Sequence, residues 1–448
     1  MQHASIPWKN GSLKISSNHR AMVNGDTPFF WLGDTAWLLL KKLSLEEMET
    51  YFENRRSKGF NVIQIMVTHV LPQTNAYGLA PFVENDPACP NTDVENNYWS
   101  ILDRALDMTE AKGLYAALVP IWGTNYERGF LNEENGAAYA HFLSVRYGKR
   151  PNIIWLVGGD ILGNVGYAVW NRMGKIFKTE CPEQLVTYHP FGSTSSSQWF
   201  HKADWLDFNM FQSGHSTYSQ IEARREEFIE KGRRLFAEDN WRFAENDLSL
   251  SPVKPTIDGE PCYERITKGL KQTGENFWYA PDIRRFAYWS VFFGCCGFTY
   301  GHSAVMQFCS ADTDEGRAYH SPDTWQQAIH HPAANQMHHL RELMEAVDYA
   351  QAQPMPQLLA NQKEKEEYVP VLAGEQFFYA YTFTGRQLIF SSELQRRFAG
   401  KILSAFWFCP VSGTYSYIGA YAAENLPSFF PPERFEGSHD WVLVCKAE

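Results

Sequence analysis

The sequence predicts a (β/α)8 TIM barrel followed by a small C-terminal antiparallel β-sandwich. Up to about residue 350, eight short apolar runs rich in Val, Ile and aromatics alternate with mostly helical stretches. That alternation describes a parallel sheet covered by helices. Several of the apolar runs end in a carboxylate or an imidazole, and a parallel barrel gathers its strand ends at one mouth. Near residue 352 helical periodicity stops, and turn-separated strand-like runs at roughly ten-residue spacing take over. These runs suit a small antiparallel sandwich. Residues 1–350 are therefore expected to form the barrel with an N-terminal hairpin, and residues 351–448 the sandwich, joined by QAQPMP.

Taken in order, the chain opens with LKISS and HRAMV, then the turn signal Asn24-Gly25-Asp26, which reads as a hairpin. FFWLGD (residues 29–34) is the first buried strand. Ser44 caps the helix that follows, with Glu47 at the capping-box position and Gly59 as its stop. The next strands are expected at residues 60–69, 114–122, 152–160, 185–190, 206–215, 254–260 and 297–302. Helices are expected at residues 97–112, 133–147, 167–178, 218–231, 282–293 and 333–346. An open doubly wound sheet would satisfy the same alternation, but no strand–GxGxxG–helix turn supports it. The sandwich strands are EYVPVLAG, QFFYAYTFTG, RQLIFSS, ILSAFWFCP, GTYSYIGAY and DWVLVCKAE.

Composition narrows the function classes. With 44% hydrophobic and 20% charged residues, the 448-residue chain can bury a large core. A net charge of −11 without a footprint-sized run of Lys and Arg argues against nucleic acid. No 18-residue apolar stretch offers a membrane span, and MQHASIPWKNGSLKISSNHR lacks the apolar core of a signal peptide. The 8 cysteines show no metal-ligand spacing and are expected to be mostly buried free thiols. The 15 Trp either fill the core or line a cleft where rings stack on sugars.

The chemistry centres on NIIWLVGGD, a buried strand ending in two glycines and Asp160. The glycines let the backbone leave the strand and pass close to a neighbour. A bland reading makes Asp160 only a helix cap. If the barrel closes, its strand ends deliver Asp34, His69, Trp122, Asp160, His189, His215, Asp258, Glu260 and His302 to one mouth. Asp160 after strand four and Glu260 after strand seven then face each other across it. Glycoside hydrolysis needs such a pair: one acid for the leaving oxygen, one carboxylate to attack or to activate water. Asp34, His69, Trp122, Tyr126, His189, His215, Tyr300 and His302 are the candidate sugar contacts, and Glu264 is a rival to Glu260 as nucleophile. A metal-dependent amidohydrolase built on His189 and His215 is a weaker alternative, because no His-x-His follows strand one. A non-catalytic carbohydrate-binding barrel is the other alternative. No metal and no organic cofactor is expected.

WLGDTAW, GFNVIQIMV, NIIWLVGGD and DGEPCYE resemble the apiosidase-like barrel family that includes glycoside hydrolase family 140, over about residues 10–350. The tail resembles the small β domain of that group named for collagen binding. The resemblance implies a retaining glycosidase acting on a plant-type or pectic glycan, with Asp160 as acid/base and Glu260 as nucleophile. It also implies an oligosaccharide or polysaccharide substrate met outside the cytoplasm. The wider clan carries Asn-Glu where this chain has Gly159-Asp160, so another side chain has to meet the sugar hydroxyl nearby.

Overall fold

A computed structural model describes residues 6–93, 95–270, 276–311, 317–319 and 321–447. Eight parallel strands form the barrel: β1 (Trp31–Ala36), β2 (Val62–Thr68), β3 (Tyr115–Ile121), β4 (Ile153–Ile161), β5 (Val186–Pro190), β6 (Asn209–Gln212), β7 (Thr256–Asp258) and β8 (Gly297–Tyr300). The sheet runs without a break from β5 back through β1 to β8, β7 and β6. The ring closes between β5 and β6, where Asp207 N–H donates to the Val186 carbonyl at 2.9 Å and Thr187 Oγ1 to the Phe208 carbonyl at 2.6 Å. Apart from Asp160 in β4, the strands are buried from end to end, because helices cover the outer face and packed side chains fill the inner one.

Helix Leu45–Ser57 starts where the Ser44/Glu47 pair predicts, as a full capping box. Other helices depart from the expectation. Residues 218–231 form two short helices, Tyr218–Ala223 and Arg225–Glu230, because the chain leaves helical geometry at Arg224. Helix Trp241–Leu248 went unread in the sequence. The N-terminal strands Leu13–Ile15, Met22–Asn24 and Thr27–Phe29 make a three-stranded sheet. It sits against the N-terminal end of β3, where Asn24 Nδ2 donates to the Tyr115 hydroxyl at 2.6 Å.

The C-terminal unit is one six-stranded antiparallel sheet. Residues 355–359 and 388–398 cover its apolar face. RQLIFSS belongs to that cover and pairs only through isolated bridges at Leu388 and Phe390. The sheet docks on barrel helix Ala280–Phe292 through a buried fork: Arg284 Nε and Nη2 reach the two Asp440 carboxylate oxygens at 2.7 and 2.8 Å. All eight cysteines are free, and seven are buried. No helix among the described residues is long and apolar enough to cross a membrane.

Candidate active site

The barrel mouth opens into a cavity of about 550 Å3, within the range of small-molecule sites. Its shape begins with an irregularity in β4. Gly158 pairs with His189 and Ile161 with Pro190, so Gly159 and Asp160 are inserted opposite a single step of β5. This bulge places Gly158, Gly159 and Asp160 at φ values of +91°, +114° and +49°. Glycine adopts such values freely, and Asp is among the few side chains that tolerate the last. Space demands the glycines too. A Cβ on Gly158 would strike the Tyr188 ring, and one on Gly159 would lie 2.7 Å from Trp122 Cε3. The bulge turns the Asp160 side chain into the cavity, half-buried in its wall.

Glu260 reaches the same cavity from beyond β7 and is 7% exposed. Two imidazoles face its carboxylate. His215 Nε2 bonds Oε1 at 3.2 Å, and His189 Nε2 stands 3.4 Å from Oε2 without hydrogen-bond alignment. His189 also accepts the Asp160 amide N–H on Nδ1 at 3.5 Å. Its neutral form therefore carries the proton on Nε2, toward Glu260. One ring thus touches both carboxylate-bearing segments. Tyr263 and Trp37 back this cluster, with Trp37 Nε1 donating to the Tyr263 hydroxyl at 3.1 Å. Trp37 meets the His189 ring edge-on at 5.1 Å and lies 5.4 Å from the Trp122 ring.

The environments of the two acids push their protons in opposite directions. Burial first, and the Glu260 charge second, raise the Asp160 carboxyl to about 6. Burial also works to raise Glu260, but His189 and His215 outweigh it and hold the carboxyl at about 2. Between about pH 2 and pH 6, Glu260 is the anion and Asp160 keeps a proton, the division of labour of an acid and a nucleophile. Gln212 Oε1, His69 Nδ1, His215 Nδ1 and Glu260 Oε2 are buried without a hydrogen-bond partner. All four residues line the cavity. Unpaired polar atoms in four residues of one cavity wall give it a polar character suited to a polyhydroxylated ligand.

Of the sequence candidates, Asp160, Glu260, His69, Trp122 and His215 line the cavity, and His189 stands directly behind it. Four do not, which corrects the expectation for them. Asp34, in β1, turns its side chain to the outer face of the barrel wall, where it is wholly buried and bound by Arg55 Nε at 2.6 Å and by the Tyr51 hydroxyl. Tyr300 ends β8 with its side chain on the outer face of the barrel wall and donates to Glu264 Oε2 at 2.7 Å. His302 is buried beneath the mouth, where its Nδ1 accepts the Ala304 N–H at 3.0 Å and its Nε2 meets His331 Nδ1 at 3.1 Å. Tyr126 packs under Gly166 and against Trp170 rather than over the cavity. Glu264, the rival nucleophile, also faces away, and burial leaves its carboxyl at about 7. His189 and His215 turn Nε2 to Glu260, which does not match the amidohydrolase arrangement.

Sequence reasoning missed Trp37, Gln212 and Tyr263 and a set of cations. Lys41, Lys42, Arg224 and Arg233 all line the cavity. Burial first and Lys42 second depress the Lys41 ammonium. Arg233 is lowered to about 10, by burial first and Arg224 second. Its guanidinium lies 3.8 Å from the centre of the Phe228 ring. For a chain with a net charge of −11, this cavity is locally cationic.

Residues 16–351 match the family model "Apiosidase-like, catalytic domain", and residues 354–446 match "Putative collagen-binding domain of a collagenase". A solved protein from Bacteroides vulgatus, described as a glycoside hydrolase family 5 member, is 34% identical with a TM-score of 0.91, covering 99% of this chain and 94% of its own. A second solved structure, described as a glycoside hydrolase, is 36% identical with a TM-score of 0.91, covering 99% of this chain and 98% of its own. An endo-1,4-beta-mannanase from Rhizomucor miehei shares the fold alone, at 12% identity and a TM-score of 0.51, over 73% of this chain and 99% of its own. No curated protein sequence matches the chain.

Proposed function

The chain belongs to the apiosidase-like family and is a glycoside hydrolase, and from that premise we propose that it cleaves a glycosidic bond in an acidic plant-type or pectic glycan, apiosyl linkages included, with retention of configuration. What carries this reading is the pairing of a proton-bearing Asp160 with an ionised Glu260 on one cavity. Asp160 donates its proton to the leaving oxygen as Glu260 attacks the anomeric carbon, giving a glycosyl-enzyme. The Asp160 carboxylate then takes a proton from water, which attacks the same carbon and frees Glu260. The acidic substrate is supported by Lys41, Lys42 and Arg233, cations suited to uronate carboxylates, whereas Arg224 is already paired with Glu227. Trp37 and Trp122 offer ring faces for the sugar. Such a substrate is met outside the cytoplasm.

The test is a panel of branched pectic oligosaccharides and aryl glycosides, followed by proton NMR of the first anomer released. Release with retention is expected, abolished in both Asp160→Ala and Glu260→Ala. Lys41→Ala and Lys42→Ala should raise KM for acidic substrates and leave it unchanged for neutral ones. Binding without release from any member would favour a sugar-binding barrel, and release of the inverted anomer would exclude the glycosyl-enzyme.

A further inference from the structure

Arg233 stands in the cavity wall with its guanidinium already fixed. Nε donates to the Gly192 carbonyl, in the loop after β5, at 2.8 Å. Cζ lies 3.8 Å from the centre of the Phe228 ring and 5.0 Å from that of Phe191. The neighbouring Arg234 N–H holds the backbone to the Ser193 carbonyl at 2.7 Å. A planar group held this way has little freedom left to lose when it binds an anion. With Nε occupied, Nη1 and Nη2 remain. Neither is bonded to any described residue, and neither is buried. A Cβ on Gly192 would lie 3.4 Å from Nη2, so the unpaired end stands over the end of β5. β5 is the neighbour of β4, which carries Asp160. Glu260 arrives from beyond β7, across the mouth. When a nucleophile attacks the anomeric carbon, the leaving oxygen departs on the opposite side, beside the acid. The sugar that carries that oxygen therefore extends over the β4–β5 side, toward Arg233.

We propose that Arg233 sets specificity on the leaving-group side: Nη1 and Nη2 together take the carboxylate of a uronic acid that carries the scissile glycosidic oxygen. A guanidinium edge matches a carboxylate in a two-point contact, which a neutral sugar cannot supply. The proposal rests on the reading of Asp160 as the acid, so its first test needs no turnover. Galacturonate, with galactose as its neutral counterpart, is titrated into the wild type by protein-observed NMR. Galacturonate should bind about tenfold or more tightly. Arg233→Leu should erase that preference, and Arg233→Lys, which keeps the charge without the fork, should keep only part of it. No preference in the wild type, or a preference undiminished in Arg233→Leu, overturns the proposal. A preference equal to wild type in Arg233→Lys overturns the two-point contact. The second test compares two glycosides of one sugar that the wild type cleaves, one with a uronate and one with a nitrophenyl leaving group. The ratio of their kcat/KM values should fall about tenfold or more in Arg233→Leu, and an unchanged ratio overturns the placement on the leaving-group side. The two readings separate cleanly. Arg233-dependent uronate binding without hydrolysis of any glycoside would support the carboxylate site and refute the hydrolytic mechanism. Hydrolysis without a preference for galacturonate would do the reverse.

Discussion

Replacing Glu260 with Gln should draw the Asp160 titration down. In the wild type that carboxyl is raised from 3.8 to about 6, by burial first and by Glu260 second, while His189, His215 and Gln212 pull the other way. The displacement, 6 − 3.8, is roughly 2 units, or ~3 kcal/mol at 1.36 kcal/mol per unit. Glu260→Gln is isosteric, so the burial contribution stays and only the charge is lost. The midpoint should then fall by on the order of one unit without returning to the ordinary carboxylate value. Carboxyl 13C NMR between pH 3 and pH 8 reads the change directly. The kinetics of the unaltered enzyme carry the same numbers. The profile of kcat/KM should rise through the Glu260 value of about 2 and fall above the Asp160 value of about 6. At pH 8 that leaves roughly a hundredth of the maximum, since the proton on Asp160 is lost tenfold per unit. An Asp160 midpoint unmoved in Glu260→Gln would mean that the two carboxylates do not sense each other. The shared-cavity mechanism would then be wrong.

Gly158→Ala forces a Cβ at φ +91° into the Tyr188 ring. It should cost about 1–3 kcal/mol in chemical denaturation and reduce kcat/KM by more than the lost folded fraction explains, because Asp160 moves with the bulge. Asp34→Ala strips the buried Arg55 of its counter-charge. It should cost about 3–5 kcal/mol of stability, yet leave kcat/KM of the folded protein within about twofold, since Asp34 is outside the cavity. A larger kinetic loss would return Asp34 to the list of substrate contacts. Asp440→Ala should likewise cost about 3–5 kcal/mol by orphaning Arg284. The double change Arg284→Met, Asp440→Leu should recover most of that in calorimetry, because an apolar pair leaves no buried charge.

The order of strands and the two acids were legible because each leaves a mark in the sequence. Buried strands read as unbroken apolar runs, and the bulge that aims Asp160 needs glycines at 158 and 159, which stand out at the end of such a run. What could not be read was the side of the barrel wall on which a strand-end residue lies. A strand buried on both faces shows no polar–apolar alternation, so inward and outward positions look alike. Asp34 and Tyr300 illustrate this: they are register partners on β1 and β8, and both point outward. A signal for Asp34 did exist in the next helix. Tyr51 and Arg55, four apart, put a hydroxyl and a guanidinium on its buried face, and such a stripe needs a carboxylate on the strand it covers. Glu260 and Glu264, also four apart, had equal claims as nucleophile. Their separation depends on chain path rather than composition. β7 ends at Asp258, and the extended segment after it leaves Glu260 at the mouth. Glu264 is carried to the outer side of β8, where Tyr300 and the Ala333 N–H occupy it. Lys41, Lys42 and Arg233 escaped for a related reason. They sit on short helices and loops, whose direction follows from packing against neighbours distant in sequence, and their shared cationic wall exists only once the barrel closes.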